Sequence, residues 1–145
     1  MQVSEITINY RPKTKLSELP KVITSKDAVE QFRALWSDKL HYIEEMYVLL
    51  LNRANKLLGF SKISLGGTTG TVVDVKVIFQ IALKANASSI LLCHNHPSGN
   101  LNPSDADLRI TKNLKEAGRI MDIPLLDHLI ITDEEYYSFA DAGVL

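Results

Sequence analysis

The residues most able to do chemistry in this sequence lie between positions 93 and 107. The segment from 93 to 104 reads CHNHPSGNLNPS, and Asp107 follows three residues after Ser104. The chain has 4 histidines, and His94 and His96 are two of them. Imidazole and carboxylate groups are common ligands of zinc in proteins. We therefore consider a metal site formed by His94, His96 and Asp107.

The apolar segment before the histidines predicts their orientation. Residues 88 to 93, SSILLC, are typical of a short buried β-strand. If the extended backbone continues, His94 and His96 point to the same side, because successive side chains of a strand alternate. Cys93 and Asn95 then point to the opposite side, and we expect Cys93 to lie in the core. Strand ends of this kind are where α/β folds keep their sites.

Asp107 is the natural third ligand, because it falls in the first turn of a helix predicted to begin at Ser104. The intervening loop, rich in glycine, asparagine and proline, is long enough to fold the helix start back over the histidines. Two imidazoles and one carboxylate leave the fourth tetrahedral position open for water, as in catalytic zinc sites. Ser104 and Asp107 also form a capping-box pattern, an interpretation that requires no metal. The two interpretations share residues and stay open together.

The joint pattern resembles a known family. The segment HNHPSGNLNPSDAD, preceded by SSILLC and followed by LLDHLII, is similar to the RadC family. The domain of that family has the JAB/MPN metalloprotease-like fold and carries the JAMM motif, an upstream glutamate followed by H-x-H, seven residues and S-x-x-D. His94, His96, Ser104 and Asp107 match this spacing. The resemblance covers roughly residues 25 to 145.

The resemblance also implies a glutamate just before an apolar strand, where the sequence offers Glu44 and Glu45. The two side chains face opposite sides of a strand, so only one of them can point at the metal. The family pattern of a glutamate, an apolar residue and an aromatic residue aligns with Glu45, Met46 and Tyr47. We therefore choose Glu45.

The function implied by the resemblance is that of a zinc-dependent hydrolase of the JAMM type, which cleaves a peptide or isopeptide amide bond. One zinc ion would be held by His94, His96 and Asp107 and would activate a water molecule. Glu45 would act as general base and then as general acid. Ser104 would donate a hydrogen bond to the developing oxyanion or to the metal-bound water. The implied substrate is a peptide or a protein.

Two rival hypotheses are a DNA-repair-associated accessory protein with a structural or vestigial metal site, and a metal-free scaffold domain. RadC-like proteins usually carry a DNA-binding helix-hairpin-helix module, but only about 24 residues precede the first predicted helix, so we expect a stand-alone domain. The net charge of −1 predicts no general attraction to nucleic acid or to anionic membranes. Both observations favour the hydrolase.

The rest of the sequence predicts an α/β fold with a mixed β-sheet and flanking helices, and the resemblance implies the JAB/MPN, cytidine-deaminase-like architecture. Residues 1 to 24 are predicted to form an N-terminal strand, over 2 to 9, and a linker, and residues 25 to 145 the domain. The predicted elements are a helix capped by Thr24, a hairpin of strands 46 to 51 and 56 to 64, a helix from Asp74 to Ala85, a strand over 88 to 93, a helix over 104 to 117 ended by Gly118, a strand over 125 to 132, and a strand or short helix in the tail. The glycine- and threonine-rich stretch 66 to 70 breaks this pattern.

Two further histidines are predicted to lie outside the site. His128 sits within a predicted strand, and Asp127 points to the other face. We favour a hydrogen-bonded structural role for His128 over contact with a metal ligand. We expect His41 to lie on the surface.

The composition is that of an ordinary globular domain, with 46% hydrophobic and 23% charged residues among 145. The single cysteine excludes an internal disulfide and is compatible with a reducing compartment. No signal peptide pattern and no apolar run of about 20 residues is present. We therefore expect a cytoplasmic protein.

Overall fold

The computed structural model describes residues 2 to 9, 11 to 65 and 73 to 145. The stretch 66 to 70 noted above lies outside these residues. The helices and strands of the described residues are a short 3-10 helix over Leu16–Glu18, α1 Ser25–Leu35, β1 Glu45–Leu51, β2 Leu57–Leu65, α2 Val75–Lys84, β3 Ser89–Asn95, α3 Asp105–Met121, β4 Leu125–Ile131 and β5 Tyr136–Ser138. Among them, no helix combines the length and apolar character that crossing a bilayer requires.

The strands form one mixed sheet in the order β2-β1-β3-β4-β5. β1 pairs antiparallel with both β2 and β3, and the β1–β2 pair is the predicted hairpin. β3 and β4 are parallel and are connected through α3, while β5 pairs antiparallel with β4. The predicted α/β fold with a mixed sheet and flanking helices is confirmed, and it is consistent with a JAB/MPN domain.

Helices cover both faces of the sheet, and β1 contributes alternate side chains to the two cores. Tyr47 and Leu49 pack on the α1 side together with Cys93. Met46 and Val48 pack on the side of α2 and α3. A strand buried on both faces needs apolar residues at successive positions, which accounts for the continuous apolar run of β1.

The first two long helices begin at their predicted caps. In α1, the Thr24 hydroxyl oxygen accepts a hydrogen bond from the Asp27 amide at 3.1 Å, and the Asp27 carboxylate accepts one from the Thr24 amide at 2.9 Å. In α2, the Asp74 carboxylate accepts from the Lys76 amide at 2.9 Å. Local side-chain chemistry therefore determines where these helices start.

The strand predicted over residues 2 to 9 is not formed. These residues pair with no described strand, and Val3, Ile6 and Ile8 are 86%, 91% and 82% exposed. Alternation produces a strand only where a partner strand and a covered face are present. The packed domain begins at Val22, which is buried and donates its amide to the Asn55 carbonyl at 2.9 Å.

The C-terminal end of α3 also differs from the prediction. The helix continues to Met121, and the residue in the left-handed region after it is Asp122, with φ of 54°. Gly118 lies inside the helix and is buried, because the chain returning towards β4 passes close to it. A Cβ at position 118 would lie 2.5 Å from the carbonyl oxygen of Ile123. The glycine permits close packing and does not cap the helix.

We expect Gly118→Ala to destabilise the protein by about 1–3 kcal/mol, because the added methyl group collides with backbone that has little room to move. This penalty opposes the better helix propensity of alanine. Urea unfolding measures the difference. Gly59→Ala in β2 is the control, since a Cβ there meets no atom within 4 Å, and a change within roughly 0.5 kcal/mol is expected. A Gly118→Ala protein as stable as the control would contradict the close approach.

Candidate metal centre

β3 carries His94 and His96 to one end of the sheet. The strand extends through Asn95, two residues beyond the predicted end, and His94 pairs with Met46 of β1 and Ile130 of β4. The extended path persists because the His96 amide donates to the Ile131 carbonyl at 3.0 Å. The Nε2 atoms of His94 and His96 lie 2.9 Å apart. The prediction that both rings face the same side is confirmed.

The start of α3 brings the Asp107 carboxylate to the two histidines. Asp107 Oδ1 lies 3.2 Å from His94 Nε2, and Oδ2 lies 3.5 Å from His96 Nε2. The Ser104 hydroxyl oxygen accepts from the Asp107 amide at 3.1 Å, and Asp107 Oδ2 accepts from the Ser104 amide at 2.8 Å. The predicted capping box is formed, and it directs the carboxylate towards the imidazoles.

The three donors fit a single metal ion. Their separations are 2.9, 3.2 and 3.5 Å. A tetrahedral zinc ion with bonds of about 2.0–2.1 Å places its ligand atoms about 3.4 Å apart. Imidazole and carboxylate ligands suit zinc, and imidazole also suits other transition metals. The donor set thus fits a metal of this size.

Glu44, and not Glu45, lies beside this cluster. One carboxylate oxygen of Glu44 and ring nitrogens of His94 and His96 all lie within 4.8 Å of one another, a group that could hold a metal ion. Met46 pairs with His94 and faces the α2 and α3 side, and Glu44 shares this side. The predicted position of Glu45 facing the metal is therefore wrong, because alternation sends its side chain to the α1 side.

The buried carboxylate of Glu45 instead forms an ion pair with a partly exposed lysine on the α1 side. Lys62 Nζ pairs with one carboxylate oxygen, and the Ser37 hydroxyl donates to the other. Burial raises the pKa of Glu45, but the hydrogen bonds from Lys62 and Ser37 outweigh it and hold the pKa below its ordinary value. Glu45 is therefore an ionised structural residue in this fold.

Asn95, the residue between the two histidines, holds the segment that carries Glu44. The fully buried Asn95 amide oxygen accepts from the Glu45 backbone amide at 2.7 Å. Its amide nitrogen donates to the carbonyls of Leu40 and Ile43, both at 2.8 Å. The backbone on both sides of Glu44 is thus attached to β3. Sequence alternation predicted that Asn95 points away from the metal, but not what it binds.

We expect Asn95→Ala to lower the free energy of unfolding by at least about 2 kcal/mol, because one buried backbone donor and two carbonyl acceptors lose their partner. Urea unfolding measures this loss, and hydrogen exchange at the Glu45 amide locates it. Asn113→Ala is the control, since Asn113 is exposed on α3. Unchanged protection of the Glu45 amide in Asn95→Ala would contradict the role assigned to Asn95.

His128 reaches the site from β4. Its Nε2 lies 2.8 Å from His94 Nδ1, on the side of the His94 ring away from Asp107. Its Nδ1 lies 2.7 Å from the Thr111 hydroxyl oxygen. Burial lowers the pKa of His128 well below its ordinary value, so the ring is neutral. The sequence analysis favoured a purely structural role for His128 and did not predict this contact with His94, a candidate metal ligand. The LLDHLII segment, which is part of the resemblance to the RadC family, was the signal that could have indicated it.

The other residues considered from the sequence lie where they were expected. Asp127 faces away from His128, and its carboxylate accepts from the Ala140 amide at 2.9 Å. Cys93 is buried in the α1-side core, where burial raises the pKa of its thiol. The side chain of His41 is 65% exposed and lies 3.9 Å from Asp133. None of the three contributes to the candidate site.

Burial and charge separate the inner part of the site from its open side. His94 is fully buried and Asp107 nearly so, whereas the side chain of His96 is 14% exposed. Burial raises the pKa of Asp107, but hydrogen bonds from His94, His96 and the Ser104 amide hold it well below its usual range. The Asp107 carboxylate is consequently ionised at neutral pH and available as a ligand.

A cleft of about 520 Å³ opens beside these residues. Its lining includes Glu44, His96, Ser104 and Asp107. The lining also includes apolar side chains, among them Met46, Val73 and Ile110. Two of the three candidate ligands, His96 and Asp107, thus border the cleft.

Comparison with known proteins places the chain in a family. A family model described as a RadC-like JAB domain matches residues 22 to 144, beginning where the packed core begins. A UPF0758 protein of Flavobacterium johnsoniae is 48% identical over 127 residues, which are 88% of this chain and 55% of that protein. A UPF0758 protein of Chlorobium chlorochromatii is 38% identical over 146 residues, which are 100% of this chain and 65% of that protein.

A third relative has a similar extent of match. The UPF0758 protein of Clostridium perfringens is 40% identical over 133 residues, 90% of this chain and 58% of that protein. The chain thus spans between about half and two thirds of the length of these relatives, and their names state no activity. Since the family match covers nearly the whole chain and includes every candidate ligand, the protein belongs to the RadC-like JAB domain family.

Proposed function

We propose that this protein is a zinc-dependent hydrolase of the JAMM type, which cleaves a peptide or isopeptide amide bond in a peptide or protein substrate. The observation that carries the proposal is the convergence of His94, His96 and Asp107 on one point, with the Glu44 carboxylate beside them. The cleft gives this point access to a substrate. The resemblance to the JAMM motif supplies the reaction class.

The chemistry divides between the metal and the side chains around it. His94, His96 and Asp107 would hold the zinc ion, which when bound would polarise a carbonyl group and bring the pKa of water towards about 7. A general base must lie within reach of the proton that it removes. Glu44 meets this condition and Glu45 does not, so we assign the role to Glu44. Its carboxylate takes the proton of the attacking water and returns it to the leaving amine nitrogen.

Ser104 is suited to stabilise the oxyanion without giving up its place as helix cap. In the cap, its hydroxyl oxygen accepts a hydrogen bond from the Asp107 amide. The hydroxyl proton is not used by this bond, since a hydroxyl group is one donor and also an acceptor. Ser104 can therefore donate to the substrate oxygen while it caps α3. The cap and the proposed catalytic role of Ser104 are therefore compatible.

The surroundings of the site strengthen these interactions. His94 and Asp107 are buried against β1, β4 and α3, so the inner side of the centre is shielded from water. Preorganised dipoles and charges act more strongly where water is excluded. The partly exposed His96 and Glu44 border the cleft, where the scissile bond would enter. The apolar side chains that line the cleft would contact neighbouring side chains of the substrate.

The proposal is tested with zinc content and with two substrate libraries. Elemental analysis of untagged protein should find about one zinc per chain, and His96→Ala should lose it. Zinc-loaded protein is then incubated with a proteome-derived peptide library and with a library of lysine-linked branched peptides. Mass spectrometry identifies new amino termini and released branches. We expect cleavage products that disappear in His96→Ala and in Glu44→Gln.

These measurements, together with a DNA-binding assay, separate the rival hypotheses. Zinc binding without cleavage in either library would overturn the hydrolase and favour a structural metal site. Absence of zinc binding would overturn the metal centre as well. Salt-dependent binding of duplex DNA at submicromolar protein would favour the DNA-associated hypothesis, because phosphate contacts weaken as salt rises.

A further inference from the structure

The side of His94 that faces away from Asp107 contacts a chain of buried polar groups. His94 Nδ1 lies 2.8 Å from His128 Nε2, and His128 Nδ1 lies 2.7 Å from the Thr111 hydroxyl oxygen. The Thr111 hydroxyl in turn donates to the Asp107 backbone carbonyl at 2.6 Å. His94 and His128 are 0% exposed, and Thr111 is 4% exposed. Water therefore has little access to these three side chains.

The direction of each hydrogen bond follows from the Asp107 backbone carbonyl, where this series of hydrogen bonds ends. A carbonyl oxygen only accepts, so the single proton of the Thr111 hydroxyl is used on Asp107. The Thr111 oxygen must then accept from His128 Nδ1, which carries the ring proton. A cation at His128 would have only a hydroxyl and another imidazole as partners, and burying an unpaired charge is expensive. The His128 ring is therefore neutral, with a lone pair on Nε2.

The proton on His94 Nδ1 follows from the lone pair on His128 Nε2. Since His128 Nε2 accepts, His94 Nδ1 must donate and therefore carries a proton. His94 Nε2 is then the ring nitrogen left to bind a metal, and it is the one that lies beside Asp107 and His96. The same holds for His96, because its Nδ1 donates to the Asn100 carbonyl and leaves Nε2 to bind a metal.

We propose that Thr111 and His128 are positioning residues that hold a proton on His94 Nδ1 and so leave Nε2 as its metal-binding nitrogen. The inference rests on the zinc site proposed above and not on the hydrolytic reaction. Free imidazole side chains in water favour the other tautomer, with the proton on Nε2. The buried chain thus removes a proton transfer that would otherwise accompany metal binding at His94. Partners that orient metal-binding histidines in this way commonly change metal affinity by about 10- to 100-fold.

Nitrogen-15 NMR of the metal-free protein with labelled histidines tests the tautomer directly. We expect His94 and His128 to be protonated on Nδ1 in the wild type. In Thr111→Val, His128 Nδ1 loses its acceptor, so the His128 proton moves to Nε2 and donates to His94 Nδ1. His94 Nδ1 then accepts this hydrogen bond, and the proton of His94 moves to Nε2. Zinc affinity should fall by about 10- to 100-fold.

Two further variants separate this role from general destabilisation. Thr111→Ser keeps the hydroxyl and should restore both the wild-type tautomers and the zinc affinity. Ser138→Ala removes a buried hydroxyl that donates to Asp127 on the opposite face of β4. This variant should keep the wild-type histidine tautomers and the wild-type zinc affinity. A His94 Nδ1 without a proton in the wild-type protein overturns the inference, even if Thr111→Val does not fold. Unchanged tautomers and zinc affinity in Thr111→Val also overturn it. If the wild type bound no zinc, the proposed metal centre would be overturned. The position of the His94 proton would still be decided by NMR of the metal-free protein.

Discussion

Glu44→Gln is expected to lose about 10²- to 10⁴-fold in hydrolytic rate while it retains its zinc. The loss corresponds to the usual contribution of a general acid–base residue. Glutamine keeps the shape of the side chain but cannot accept a proton at neutral pH. Zinc is retained because His94, His96 and Asp107 supply the ligands in our assignment.

Glu45→Gln is the matched control, because it makes the same chemical change one residue away. Its side chain pairs with Lys62 and Ser37 and lies away from the histidines. We expect the free energy of unfolding to fall by about 1–3 kcal/mol, below the 3–5 kcal/mol typical of a broken buried pair. The smaller value reflects the side chain of Lys62, which is 37% exposed.

Rates are compared at saturating zinc on a peptide that the wild type cleaves, with zinc content measured on the same samples. A pH profile of kcat adds a second comparison, since the limb due to the base should vanish in Glu44→Gln and persist in Glu45→Gln. The assignment of Glu44 would be contradicted by a Glu44→Gln enzyme with wild-type rate. It would equally be contradicted if Glu45→Gln alone were inactive although folded.

Asp107→Asn is expected to weaken zinc binding by more than about 100-fold, beyond the 10- to 100-fold effect of supporting residues. The carboxylate supplies the only anionic charge among the three ligands that we assign. An asparagine oxygen can still accept from the Ser104 amide, so the start of α3 should survive. The substitution thus separates the metal role of Asp107 from its role in the capping box.

The weaker zinc binding of Asp107→Asn can be measured as a smaller increase in stability when zinc is added. At zinc concentrations near 1,000 times the wild-type Kd, binding stabilises the folded state by about 4 kcal/mol. A 100-fold weaker variant at the same zinc concentration gains only about 1.4 kcal/mol. Thermal unfolding with zinc and with a chelator measures both gains. For a chain of this size the difference corresponds to roughly 5–10 °C in Tm.

Asp27→Asn is the control for this prediction. Asp27 occupies the same capping-box position in α1 that Asp107 occupies in α3, and it is partly exposed and far from the histidines in the sequence. The variant should lose a little stability, as expected for an altered cap, and its gain from zinc should equal that of the wild type. Equal zinc gains in Asp107→Asn and in the wild type would show that Asp107 is not a ligand.

Local features of the site were predictable because they depend on residues close together in the chain. Alternation along β3 placed His94 and His96 on one side and Asn95 on the other. The capping boxes at Thr24 and Ser104 were readable because each involves residues three positions apart. The hairpin and the doubly buried β1 were indicated by turn residues and by a continuous apolar run.

The choice between Glu44 and Glu45 required the tertiary structure. Alternation shows that the two side chains face opposite ways, but β1 is apolar on both faces, so its pattern does not tell which face meets the histidines. Pairing between β1 and β3 decides this, since Met46 opposite His94 sets the register for the whole strand.

Contacts between distant segments also decided the remaining differences. His128 became a partner of His94 because β4 lies parallel to β3 and places Ile130 opposite His94. Gly118 proved to be a packing residue because the chain returns beside α3 at Ile123. The alternating residues 2 to 9 found no partner strand among the described residues. The sequence by itself determined helix starts and the sides of each strand, since these depend on neighbouring residues. The tertiary structure alone decided which sides meet, because that depends on how both faces of the sheet are covered.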